Sequence, residues 1–176
     1  FYTVICNEQE LMSRWDIELV PVTLTRVEKA VKKLVSGDKR VKDQVDSLAA
    51  RLDIKSEVKT ETMQRIAALK VFMQDWAQEA NLSAIAFKCH EDLQDALGIY
   101  PCVANGELTD LGVPVICETD IHGALTSVLL QHAAPTEKPI FFADLTVRHP
   151  TNNNAELLWH CGNFAQALQK VDYKGF

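Results

Sequence analysis

The chain has 176 residues, 47% hydrophobic and 24% charged, enough for a globular domain with its own core. Its net charge of −6 argues against a nucleic-acid partner, which needs a basic footprint, and no run of about 18 apolar residues marks a membrane span. No basic segment leads into an apolar stretch as in a secretory signal. Phe1 in place of Met and the end Val171-Asp172-Tyr173-Lys174-Gly175-Phe176, with no helix stop, read as cuts, so a fragment or processed product is expected. The five cysteines, Cys6, Cys89, Cys102, Cys117 and Cys161, are odd in number and form no CxxC pair. That usage suits a reducing compartment, hence the cytoplasm.

In chain order, Phe1 to Cys6 reads as a strand and Ile17 to Val22 as a second, short one. Thr25 is a candidate helix cap, its hydroxyl accepting from the free N–H groups of the first turn. Val27, Ala30, Val31 and Leu34 then recur at helical spacing, and Gly37 ends that helix by taking the left-handed conformation. Val41, Val45, Leu48 and Leu52 line one face of the next helix. A longer helix spans about 57–81 with the stripe Met63, Ile66, Leu69, Met73, Trp76 and Ala80, read as core. The basic stretch Arg26 to Lys42 carries its charges opposite these apolar positions, which is a solvated face.

From residue 84 the pattern changes. Ala84 to Phe87, Val113 to Cys117 and Pro139 to Asp144 are short continuous apolar runs, as buried strands are. Glu91 to Leu97, closed by Gly98, and Gly123 to His132 read as helices between them. Strands alternating with helices predict an α/β class, a layered Rossmann-like domain with a mainly parallel sheet. The linker candidate 133–139 divides it, residues 1–137, from the start of a second domain, residues 138–176. Arg148 to Asn154 is polar loop.

Two acids follow buried runs, Glu118 and Asp144, 26 residues apart, which fits one strand–helix–strand crossover. In open α/β sheets ligands bind outside the carboxyl ends of the strands, and a carboxylate there is costly to desolvate without a cation or several donors. His160, 16 residues after Asp144, completes a set of oxygen and nitrogen donors suited to Mn²⁺ or a similar divalent ion. Acids also end strands by capping the next helix, which is the reading for Asp120, and a histidine beside Trp159 is compatible with plain packing. Lys88, Arg148 and His149, with His90 and His122, are candidates for sugar contacts, although solvated loops explain them equally well. No Gly-rich phosphate loop or dinucleotide fingerprint is present.

Several of these segments, taken together, resemble the L-fucose and L-arabinose isomerases. They are Glu118-Thr119-Asp120-Ile121-His122-Gly123, Phe142-Ala143-Asp144-Leu145-Thr146 and Asn154-Ala155-Glu156-Leu157-Leu158-Trp159-His160. Phe87-Lys88-Cys89-His90, Leu97-Gly98-Ile99-Tyr100-Pro101-Cys102 and Asp110-Leu111-Gly112-Val113-Pro114-Val115 agree with it. The likeness covers about 87–162 and is only general before that. It implies a metal-dependent aldose–ketose isomerase acting on an unphosphorylated sugar, here as a piece spanning the middle domain and the start of the C-terminal domain. It implies Glu118 and Asp144 as catalytic carboxylates and Mn²⁺ ligands, His160 as a further ligand by analogy with the arabinose branch, and a homo-oligomer. The metal would polarise O1 and O2 as a Lewis acid while one carboxylate moves the C2 proton; which one is the base stays open. The rivals are a sugar-binding module without turnover, a relative that keeps the fold and has lost the chemistry, and a metal-dependent hydrolase or aldolase.

Overall fold

The computed structural model describes residues 4–134 and 138–169. The first part is helical. α1 (Glu8–Trp15), α2 (Leu24–Val35), α3 (Lys39–Arg51) and α4 (Thr60–Glu79) precede the first strand. Val4 to Cys6 is not a strand, and Phe1 to Thr3 lie outside the described residues. Nor is Ile17 to Val22 a strand: it is irregular chain leading into α2. The cap of α2 is Thr23, whose side chain accepts from the Arg26 N–H at 3.3 Å, and Thr25 falls inside the helix. Gly37 does not take the left-handed conformation; α2 ends in an ordinary turn through Ser36.

α4 is the centre of the core. Ala67, Ala68, Leu69 and Met73 have no exposed surface, so the helix is surrounded rather than one-sided, as a core helix is. The sequence stripe is confirmed at Met63, Leu69, Met73 and Trp76, with Ile66 and Ala80 partly buried. α2, α3 and the later helix at Cys102–Asp110 all pack against α4. Lys70, within α4, is buried, and its ammonium reaches Gln44 at 2.7 Å and Glu107 at 3.3 Å, the pairing a buried charge requires.

Beyond α4 the chain forms β1 (Ile85–Ala86), α5 (Asp92–Leu97), α6 (Cys102–Asp110), β2 (Val115–Ile116), a 3₁₀ turn at Cys117–Thr119 and α7 (Ile121–Ala133). β1 and β2 pair in parallel, Ile85 opposite Val115 and Ala86 opposite Ile116, with α7 packed on both. Gly98 ends α5 in the left-handed conformation at φ 65°, as its position predicts. Asp120 caps α7, its carboxylate accepting from the Gly123 N–H at 2.9 Å.

The third expected strand is displaced. Residues 138–143 are irregular, and β3 (Asp144–Arg148) begins where the strand was expected to end. It pairs antiparallel with β4 (Glu156–Trp159), Asp144 opposite Trp159. The apolar run serves side-chain packing instead: Phe141 stacks on Phe164 with centroids 5.1 Å apart, and Phe142 lies against His160 at 5.2 Å. Mixed helix and sheet is therefore what the described residues hold, in one parallel and one antiparallel pair rather than a mainly parallel sheet. None of their helices is long and apolar enough to cross a membrane.

Candidate functional site

Glu118 stands directly beyond the carboxyl end of β2, where strand-end chemistry was expected. The chain must leave β2 at Ile116 and be capped at Asp120 for α7, and no glycine lies between. Glu118 and Thr119 absorb the turn by taking left-handed conformations, φ 67° and 60°. For a β-branched residue such as Thr119 this is an outlier. Glu91, after β1, is also strained at φ 47° and ψ −101°. Such residues cost about 1–3 kcal/mol each and concentrate at functional sites.

The two strained turns lie side by side. Thr119 N–H reaches back to the Phe87 carbonyl at 3.4 Å, extending the parallel pair beyond its last ladder residues. His90 Nε2 is 3.4 Å from Glu118 Oε1, with the side chains 40% and 36% exposed, so both are open to a ligand while partly shielded. Behind them Cys89 and Cys117 are buried. The neighbouring Cys117 thiol holds the Cys89 pKa below its ordinary value, against the opposing effect of burial and with help from the Glu118 backbone. Cys117 is correspondingly pushed up, by Cys89 and by burial. The Asn163 and Asn105 amides point at the Cys117 sulfur from 3.4 and 3.7 Å.

The other expected site residues are more dispersed. Asp144 is exposed at the first position of β3. His160 is buried behind Phe142, its Nδ1 3.8 Å from the Cys161 sulfur. A Cβ at Gly123 would meet the Phe142 ring at 3.0 Å, so Phe142 lies between the start of α7 and His160 and links the Glu118 turn to the hairpin. Arg148 is exposed at the far end of the hairpin, opposite Glu156. His149 uses Nδ1 to accept from the Thr151 and Asn152 N–H groups at 3.2 and 3.1 Å, which shapes the hairpin loop. Lys88 is exposed and paired with Asp92, and His122 is exposed on the first turn of α7.

Among the described residues no three histidine, cysteine, aspartate or glutamate side chains are grouped so as to hold a metal ion. Glu118, Asp144 and His160 thus do not make a complete shell for Mn²⁺ within this chain. A surface depression of about 430 Å³ lies along α2 between Thr23 and Lys33 and shares no residue with the Glu118 turn. Its lysine and arginine walls are a solvated face, so chemistry is better sought at Glu118.

The sequence had pointed to Glu118 from its place after an apolar run, and had named His90 only as a possible sugar contact. It had not linked the two, nor found the thiol pair. The register of the parallel pair sets Phe87-Lys88 opposite Cys117-Glu118, so Cys89-His90 comes to the Glu118 turn only through the loop after β1, which no spacing in the sequence marks.

No protein-family model matches the chain, and no solved structure matches it. Curated relatives do. A sulfoquinovose isomerase of Alkalicoccus urumqiensis is 36% identical over 109 residues, 62% of this chain and 24% of the relative. The sulfoquinovose isomerases of Priestia aryabhattai and Priestia megaterium are each 28% identical over 173 residues, 96% of this chain and 36% of the relative. The chain is therefore similar to sulfoquinovose isomerases along nearly its whole length, and spans about a third or less of theirs.

Proposed function

We propose that the chain is part of an aldose–ketose isomerase acting on an unphosphorylated sugar, sulfoquinovose being the first candidate substrate, with Glu118 as the catalytic base. The observation that carries this reading is Glu118 itself: a half-exposed carboxylate at the carboxyl end of the parallel pair, held in strained backbone, in a chain similar to sulfoquinovose isomerases. In an open-chain aldose Glu118 takes the proton from C2, leaving an enediolate, and returns it to C1. The C2 hydroxyl proton passes to O1, so the product is the isomeric ketose and nothing else is consumed. A carboxylate near the carbon suits this transfer, and Asp144 is the second acid, at the sugar oxygens.

A divalent cation, Mn²⁺ by the resemblance, belongs to the proposal as an expectation, with Glu118, Asp144 and His160 as the residues here that would contribute to it. Those three do not form one metal-holding group among the described residues, so the proton transfers rest on Glu118 and the sugar's own hydroxyl. The same reading takes β1 and β2 as part of a larger Rossmann-like layered sheet, places the domain division at 137/138 and expects a cytoplasmic homo-oligomer with Lys88, Arg148 and His149 near the sugar.

The test is ketose formation by the full-length protein from sulfoquinovose, L-fucose and L-arabinose, with Mn²⁺ and with EDTA, beside Glu118→Gln. Conversion by the parent is expected, with kcat lower by about 10²–10⁴-fold in Glu118→Gln and activity lost in EDTA. A folded, metal-supplied parent that converts none of them overturns the isomerase reading; retained sugar binding would then favour a binding protein or a relative that has lost the chemistry.

A further inference from the structure

We infer that His90 is the positioning residue for Glu118, its Nε2–H holding one carboxylate oxygen so that the other is left to take the sugar proton; this rests on the isomerase reading. Three observations on different parts of the chain converge on it. The first is the contact, His90 Nε2 to Glu118 Oε1 at 3.4 Å, with both groups open to solvent. That is long for an N–H···O bond, as such contacts often are before substrate displaces water and tightens them.

The second is the backbone. His90 immediately precedes the strained Glu91, and Glu118 is itself strained together with Thr119. Both side chains are therefore presented by turns that ordinary strand ends would not adopt, at the ends of two strands paired in parallel. The third is the support behind the pair. Cys89, one residue before His90, and Cys117, one residue before Glu118, are both buried, so each turn is anchored in the core next to the side chain it presents. Thr119 N–H donates to the Phe87 carbonyl at 3.4 Å and ties the two turns together. A glutamate on a flexible side chain would otherwise sample several rotamers. A base that must meet two adjacent carbons of one sugar gains from having that freedom removed.

The experiment uses the full-length protein with His90→Leu and His90→Gln. Glutamine can place an amide N–H near the position of Nε2, whereas leucine fills the space without a donor. His90→Leu is expected to lower kcat about 10²-fold with KM little changed and the thermal midpoint retained, and His90→Gln to restore kcat to within about tenfold of the parent. An active parent whose His90→Leu variant keeps full kcat overturns the inference and leaves the isomerase reading standing. Equal losses in both variants, with a lowered thermal midpoint, overturn it in favour of packing. A parent inactive on every sugar overturns the isomerase reading and His90's role with it.

Discussion

Thr119 carries a left-handed backbone, φ 60°, that a β-branched side chain resists. Left-handed geometry brings its Cβ against the neighbouring carbonyl, and β-branching leaves no way around the clash. Glycine there would remove the clash, worth about 1–2 kcal/mol, and would add back part of that as unfolded-chain entropy, about 0.5–1 kcal/mol. Thr119→Gly is therefore expected to be more stable than the parent by roughly 0.5–1 kcal/mol in urea denaturation, while kcat falls because the Glu118 turn is no longer constrained. Destabilisation instead would show that the turn does not keep this conformation in solution. The residue types around this turn were legible: an acid after an apolar run, and Asp120 ahead of a helix. The strain was not, because it arises only when the β2 register and the Asp120 cap are both imposed on the three residues between them, none of which is glycine. The partnership of His90 with Glu118 was hidden for the same reason, since it depends on β1 and β2 being neighbours.

At the scale of elements, α6 is positioned by a glycine. A Cβ on Gly106 would lie 2.2 Å from the Phe164 carbonyl oxygen, so the helix touches the backbone of the segment after β4 directly. Asp110, at the end of α6, accepts from the Gln166 and Ala167 N–H groups at 2.7 and 3.1 Å. Asn163 donates to the Val115 carbonyl at 2.8 Å. These contacts fasten residues 163–167 beside β2, and so fix the Asn163 amide at the Cys117 sulfur. Gly106→Ala must push backbone against backbone, and overpacking of this kind costs about 1–3 kcal/mol, although alanine is the better helix former. A lower denaturation midpoint is expected; an unchanged one would mean that residues 163–167 do not rest on α6. The helices α2, α3 and α4 could be read from periodicity because α2 and α3 each bury a face against α4, whereas α1 could not, since Leu11 is its one buried residue. Residues 139–143 could not, because Phe141 and Phe142 look the same whether an apolar run enters a ladder or, as here, packs on Phe164 and His160. The hairpin was missed because Leu145, Val147, Leu157, Leu158 and Trp159 are all exposed, so no alternation of buried and polar residues marks its strands.

For the molecule as a whole, Glu107 joins the helical half to the half that carries the site. It is buried on α6, accepting from Arg51 of α3 at 2.8 Å through both oxygens and from Gln44 at 3.0 Å, with Lys70 of α4 at 3.3 Å. Arg51 also binds Gln166, which brings in the segment after β4. Burial by itself would raise the Glu107 pKa, but the Arg51 hydrogen bonds and the Lys70 charge outweigh it, and the carboxyl lies below its ordinary 4.5. A depressed folded-state pKa means that the folded form binds the proton less readily than the unfolded chain. The stability this confers is complete above about pH 4.5 and is lost as pH falls through the folded value. Glu107→Gln should accordingly be less stable than the parent at neutral pH, and the gap should narrow in acid as the parent's own carboxyl takes up its proton. Glu107→Ala should cost more, about 3–5 kcal/mol, because it strands the Lys70 charge in the core. Urea denaturation of parent and Glu107→Gln at about pH 7 and about pH 3 measures the convergence. Parallel losses at both pH values would mean that the charge on Glu107 contributes nothing and that its place in the core is a matter of shape.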